Sequence, residues 1–338
     1  MTSTTSAAPA ADTTLSYTAH SAFTDPGELR DWLQDAPRTV AGIRRLATTL
    51  VFHYRASGDP TTLGFERERL SEIDLRYAER ILGRARELQG GSITEPRRAL
   101  CRVLGCCRDF TLLFVTLARE AGIPSRMRVG FGGYLIDGWW IDHVIAEVWD
   151  AQVGSWSLVE PQMPEGFLDA TTGEPLDLEH LSRDRFLVGA DAWLAARAGA
   201  IDPARCVVDP SIELSVTRSW PYLVHHLAAD LAAVNGHELL LWDVWGALEQ
   251  FIDADGAATL ENASIDRPGE QPTDEQFTAL DELARALAAA TDPRSGPCES
   301  AAGAADAYAS SDFVVGDGVL TLSPFGAPPR RTFLRGGV

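Results

Sequence analysis

The most constraining stretch of this chain is a change of period between Phe110 and Phe131. Phe110, Leu113, Phe114, Leu117 and Ala121 recur at three and four residues, which predicts a helix. Gly122 closes it, and Pro124 forbids its continuation. Met127, Val129 and Phe131 then alternate with Arg126, Arg128 and Gly130, the period of a strand. Two more strands are expected over 143–150 and 156–160, joined by a tight loop at Asp150–Gly154. Helices followed by adjacent strands make an α+β fold, with helices packed on an antiparallel sheet.

Other segments are weaker. Asp25-Pro26 starts a short helix through Leu29, Trp32 and Leu33. Further helices are expected over 40–55, 73–88, 95–103, 191–197 and 220–234, and from a cap at Thr273 to about residue 290. Residues 255–272 read as a loop and 292–305 as a small-residue, low-complexity stretch. Phe313 to Leu322, centred on Asp317-Gly318, reads as a hairpin.

Three residues in this framework carry chemistry. Cys107 stands at the start of the Phe110 helix; His143 follows 36 residues later and Glu160 a further 17. A thiol needs a base to become a nucleophile, and the base needs a group to hold its ring. A helix N-terminus and a nearby imidazolium both favour the thiolate, so a lowered Cys107 pKa is expected. Cys106 competes for the role, but adjacent helical residues point about 100° apart, so one thiol should face a given cleft. If the 143–149 and 156–160 strands pair as a hairpin, their outer ends place Glu160 beside His143. Asp142 is the rival orienter, although strand neighbours point to opposite faces. The remaining histidines (His20, His53, His180, His225, His226 and His237) read as ordinary surface or core residues. Cys101, Cys106 and Cys107 lack a second ligand pair, so no metal site is expected, and no cofactor either.

Composition narrows the partners. Net charge is −19, with 48 acidic against 29 basic residues, which disfavours nucleic acid and anionic membranes. Every basic residue is arginine, so the chain has no lysine amine to offer as an acyl acceptor. Five cysteines without framework spacing point to a reducing, cytoplasmic setting. No apolar run approaches membrane length, and the small polar N-terminus lacks the regions of a signal peptide. Tyr134, Trp139 and Trp140 lie near the site in sequence; ordinary packing is their expected role, with exclusion of water as the alternative.

The run Gly105-Cys106-Cys107-Arg108-Asp109-Phe110, then Gly122-Ile123-Pro124-Ser125-Arg126, Asp142-His143-Val144 and Trp156-Ser157-Leu158-Val159-Glu160-Pro161-Gln162, resembles the transglutaminase-like superfamily. The resemblance covers 97–162 and extends loosely to about 248 through Asp191-Ala192-Trp193 and Trp242-Asp243-Val244-Trp245. It implies a papain-like core with Cys107 as nucleophile, His143 as base and Glu160 as orienter, at a position where the family usually has Asp. The family includes crosslinkers, proteases, peptide N-glycanases, amide-forming enzymes and inactive members. The expected organisation is a disordered tail over 1–20, a transglutaminase-like catalytic domain over 21–250 and a C-terminal extension over 251–338, built of linker, helix and hairpin. The expected activity is cysteine-dependent acyl transfer through a thioester, joining a small-molecule, carrier-bound or peptide acyl donor to an amine acceptor. Hydrolysis by the same three residues, or a non-catalytic scaffold, are the alternatives.

Overall fold

A computed structural model describes residues 17–251 and 271–335. The expected tail as far as residue 16, and the expected 255–272 loop as far as residue 270, lie outside the described residues.

Thr39 caps the first helix, α1 (Val40–Leu50), its Oγ1 accepting from Gly42 N–H at 3.3 Å. The helix expected to continue to Arg55 ends at Leu50. Val51–His53 (β1) is instead a strand, paired in parallel with Val103–Gly105 (β2). The helix expected over 95–103 is likewise replaced by one 3-10 turn, Ala99–Cys101, and by β2. Both differences have one cause. A parallel pair joins segments distant in sequence, and no local period reports its partner. The helix expected from Ile73 is a 3-10 stretch, Arg67–Asp74, a break, and then α2 (Ala78–Leu88).

The central helix, α3 (Cys107–Glu120), is buried from Cys107 to Arg119, around its whole circumference. It ends in a Schellman motif: Ile123 N–H reaches Ala118 O and Gly122 N–H reaches Arg119 O, both at 2.9 Å. Gly122 supplies the left-handed φ of +77° that this turn needs. The chain then enters β3 (Ser125–Gly132), β4 (Trp140–Asp150) and β5 (Ser155–Val159). With β6 (Phe186–Val188) they form an antiparallel sheet in the order β5-β4-β3-β6; the short β7 (Cys206–Val207) adds in parallel to β4. The strands and the Asp150–Gly154 loop agree with the sequence reading, and the fold is α+β.

The arginines of β3 do not face water. Arg126 and Arg128 are both fully buried. Arg128 binds Asp230 in bidentate fashion at 2.9 and 2.8 Å, and both arginines bind Glu147, at 2.7 and 2.8 Å. Asp230 lies on α5 (Ser219–Val234), and its Oδ1 also accepts Val129 N–H at 3.0 Å. The helix therefore satisfies a strand edge that would otherwise be open.

After α4 (Gly189–Arg197) and α5, the chain forms β8 (Asp243–Val244), which pairs with β9 (Gly318–Thr321); β9 pairs in turn with β10 (Arg330–Phe333). The hairpin expected around Asp317-Gly318 is thus not formed there; Gly318 opens a strand whose partner begins at Arg330. Residues 313–315 are held elsewhere: Phe313 O accepts Trp245 Nε1–H at 2.7 Å, and Phe313 and Val315 are buried. Thr273 caps α6 (Asp274–Ala290) with a reciprocal Gln276 bond. The stretch read as low complexity holds a further helix, α7 (Pro297–Ala309). Its small residues are contact residues: Ala301 and Ala304 are buried, and Ser300 Oγ bonds Arg126 at 2.5 Å. No helix among the described residues is long and apolar enough to cross a membrane.

Candidate active site

Cys106 and Cys107 follow directly from β2, so the β1–β2 pair delivers them to the base of a cleft. Cys106 precedes the helix rather than belonging to it. Its N–H donates to Asp109 Oδ2 at 2.8 Å, while Asp109 N–H donates to Cys106 O at 2.9 Å. The 100° rule for helical neighbours therefore does not separate the two thiols, and both line the same cavity. Only 5% of Cys107 and 3% of Cys106 is exposed.

One face of α3 docks on a gap in the edge of β4. β7 pairs with β4 at Trp140 and Ile141, and β5 pairs with it from Ala146 onward. Thr111, one turn beyond Cys107, donates to Val144 O at 2.8 Å. The Cys107 thiol lies by the Val144 backbone N–H, one residue from His143. The Cys106 thiol beside it, burial and the charge of Asp142 push the Cys107 thiol well above its ordinary range, and the Val144 N–H offsets this only in part. The lowered value expected from the sequence is not found. Desolvation and a neighbouring thiol outweigh the helix N-terminus, so the resting sulfur is a neutral thiol.

His143 and Glu160 meet. The imidazole Nε2 lies 2.8 Å from Glu160 Oε2, with both side chains buried. Val159 pairs with Ala146, so Glu160 lies just past the ladder and its carboxylate reaches diagonally to His143 on the same face. Tyr134 OH donates to the same carboxylate oxygen, and Gln162 N–H donates to the other at 2.8 Å. Burial acts to raise the Glu160 pKa, but His143, Tyr134 and Gln162 together hold it below its usual range. Burial and the Glu160 charge push the Tyr134 hydroxyl up, so it stays a donor. Because Nε2 is taken by Glu160, Nδ1 is the ring nitrogen left for other partners. Opposite His143 on β3 stands Gly130, where an added Cβ would come within 2.1 Å of Leu187 O, so glycine is required for the close approach of β6.

Asp142 turns to another partner: its carboxylate is hydrogen-bonded to Tyr222 of α5. Burial raises its pKa to about 6 against the help of Tyr222 and the charge of His143. His53 approaches from β1. Its Nδ1 accepts the N–H groups of Arg55 and Ala56 at 3.1 and 3.0 Å, which fixes the proton on Nε2. Burial, then the charges of His143 and Arg55, lower its pKa to about 3, so it stays neutral. Trp139 and Trp140 do not line the cavity, and Trp139 lies under the Arg205 guanidinium at 4.5 Å. Among the described residues, no group of acids, histidines and cysteines could hold a metal ion.

Residues 66–161 match the model of the transglutaminase-like superfamily. That segment is similar to a transglutaminase-like core. It contains Cys107, His143 and Glu160, together with the β2–α3 junction and the β4–β5 hairpin that position them. His53, Gln162 and Tyr222 lie outside it. A search of curated proteins finds no match. One solved structure, described as a "Putative Cysteine Protease from Cytophaga hutchinsonii", is similar at 14% identity and a TM-score of 0.28, covering 51% of this chain. The aligned part spans 44% of that protein's length.

The transglutaminase-like core was legible from its motifs, but three contributors were not. Tyr134 reads as a packing residue, yet its hydroxyl holds Glu160. Gln162 lies within the quoted motif, although it acts there through its backbone. His53 has no local signal, because parallel pairing across 52 residues of sequence brings it to Gly105.

Proposed function

We propose that the protein is a cysteine acyltransferase working through a thioester on Cys107. The observation that carries this reading is the buried His143–Glu160 contact at 2.8 Å, at a cavity that Cys107 also lines. Under this reading His143 Nδ1 takes the thiol proton as the sulfur attacks a carbonyl. Glu160 stabilises the imidazolium that forms, and His143 hands the proton to the leaving group. Backbone N–H groups at the start of α3 are suitable donors to the developing oxyanion. An amine then takes the acyl group, and the second proton passes back through His143. A resting neutral thiol suits general-base activation, in which thiolate exists only while His143 holds the proton.

The experiment offers glutamine peptides and aminoacyl thioesters with an amine and water present together, and reads products by mass spectrometry. Amides are the expected result; acids alone would make the protein a hydrolase with the same three residues. Cys107→Ala should abolish both products, whereas Cys106→Ala should retain most activity. Equal loss from both substitutions would mean that the wrong thiol has been assigned.

A further inference from the structure

The cavity above Cys107 is large, about 1240 Å³. Small-molecule pockets commonly hold roughly 300–1,000 Å³. Its walls come mainly from outside the matched core. The 208–217 loop gives Val208, Ile212, Leu214 and Val216, and the segment before and after β8 gives Leu241 and Leu248. These side chains share one property: they offer apolar surface and no hydrogen bond.

Most of the charges on the lining are engaged, while among the described residues Arg102 Nε, Gln162 Oε1 and His225 Nδ1 are buried polar atoms without a hydrogen-bond partner. Arg55 is paired with Asp209 at 3.0 Å. The Arg102 guanidinium is turned onto the carbonyls of Thr48 and Arg97, at 3.3 and 3.4 Å, which orient it away from a ligand without neutralising its charge. His53 is neutral, and His225 uses Nε2 to donate to Asp243 O at 3.0 Å. Asp142 carries a carboxylate near the Cys107 end of the cavity, where it disfavours an anionic ligand.

Resting on the acyl-enzyme reading above, we propose that the acyl group carried by Cys107 is long or bulky, uncharged and apolar, and lies in this cavity with only its carbonyl at the polar end. The step is a simple exchange. The Cys107 S–H bond and the donor's bond between carbonyl carbon and leaving group break. A C–S bond forms, and the proton leaves with the leaving group by way of His143. A glutamine side chain on a protein surface would bring a short polar amide into this space and leave most of the apolar wall in contact with nothing.

The test uses N-acetylcysteamine thioesters of acetate, hexanoate, decanoate and succinate, with Cys107 acylation followed by intact-protein mass spectrometry. Each buried methylene should raise the acylation rate about 4-fold while the chain stays within the cavity. Decanoyl should therefore exceed acetyl by well over 100-fold, and succinyl should react no faster than acetyl. Ile212→Trp, which fills part of the wall, should lower the decanoyl rate at least tenfold more than the acetyl rate. Rates independent of chain length, or succinyl reacting fastest, would overturn the apolar-acyl assignment while leaving the acyl-enzyme intact. No acylation of Cys107 by any donor would overturn both.

Discussion

By resemblance to the transglutaminase-like superfamily, Glu160 stands at a position where aspartate is usual, and its surroundings suit the longer side chain. The residue begins just past the β4–β5 ladder, yet its carboxylate meets His143, Tyr134 and Gln162 N–H together. Glu160→Gln keeps the shape and removes the charge that stabilises imidazolium. Its kcat/KM for a reactive thioester should fall about 100-fold or more. Glu160→Asp should also lose activity, because a side chain one methylene shorter retreats from Nε2. Steady-state rates of the two variants check both expectations. Cys107 gives a second prediction at this scale. Its raised pKa leaves it neutral at pH 7, so iodoacetamide should label exposed Cys298 first. Cys107 labelling should lag until the pH rises well past the ordinary thiol value, and peptide mapping across pH reads this directly. Asp142 gives a third. Its folded pKa of about 6 lies above the usual carboxylate value, so folding favours the neutral form. That contribution is present in acid and is lost as pH rises through about 6. The melting temperature of Asp142→Asn should therefore gain on the native protein between pH 4 and pH 8, whereas a constant difference would contradict the burial argument.

At the scale of elements, the helix, its Gly122 stop and the strands after it were legible because each announces itself within a dozen residues. The arginines of β3 were legible only in their spacing. Alternation predicts a strand, but it does not say that both faces are covered. Here α5 and α7 reach the arginine face of β3, and Glu147, Asp230 and Ser300 meet the guanidinium groups there. Asp230→Ala would leave Arg128 buried without its bidentate partner and Val129 N–H without its acceptor. The cost should be about 3–5 kcal/mol, read by chemical denaturation. Arg128→Met paired with Asp230→Leu should restore part of it, since the uncompensated charge is removed while Val129 N–H still lacks its acceptor. The expected helix at 95–103 failed for the complementary reason: local periodicity carries no information about a strand pairing with β1 far upstream.

At the scale of the molecule, the segments after residue 162 had no visible role in the sequence, and the structure gives them two. Residues 208–217 and 241–248 wall the cavity, and the 274–309 helices pack behind the sheet. Trp156 joins these parts: its Nε1–H donates to Ser295 O at 2.9 Å, and its ring lies under Arg126 at 4.1 Å. A chain truncated after Ala290 would uncover Arg126 and remove β9 from β8. It should melt at a much lower temperature or without a cooperative transition, as circular dichroism would show.

The residues alone determined the class of the fold, the central helix and its termination, the strand hairpin, and the order of thiol, imidazole and carboxylate. These are local patterns, and local periods, caps and motifs encode them directly. Only the tertiary structure decided that Cys106 and Cys107 share one cavity, that the Cys107 thiol rests neutral, that Tyr134 holds Glu160, and that a wide apolar space opens above the sulfur. Each of those depends on burial and on contacts between segments far apart in the chain, and desolvation exists only once the chain has folded around the group.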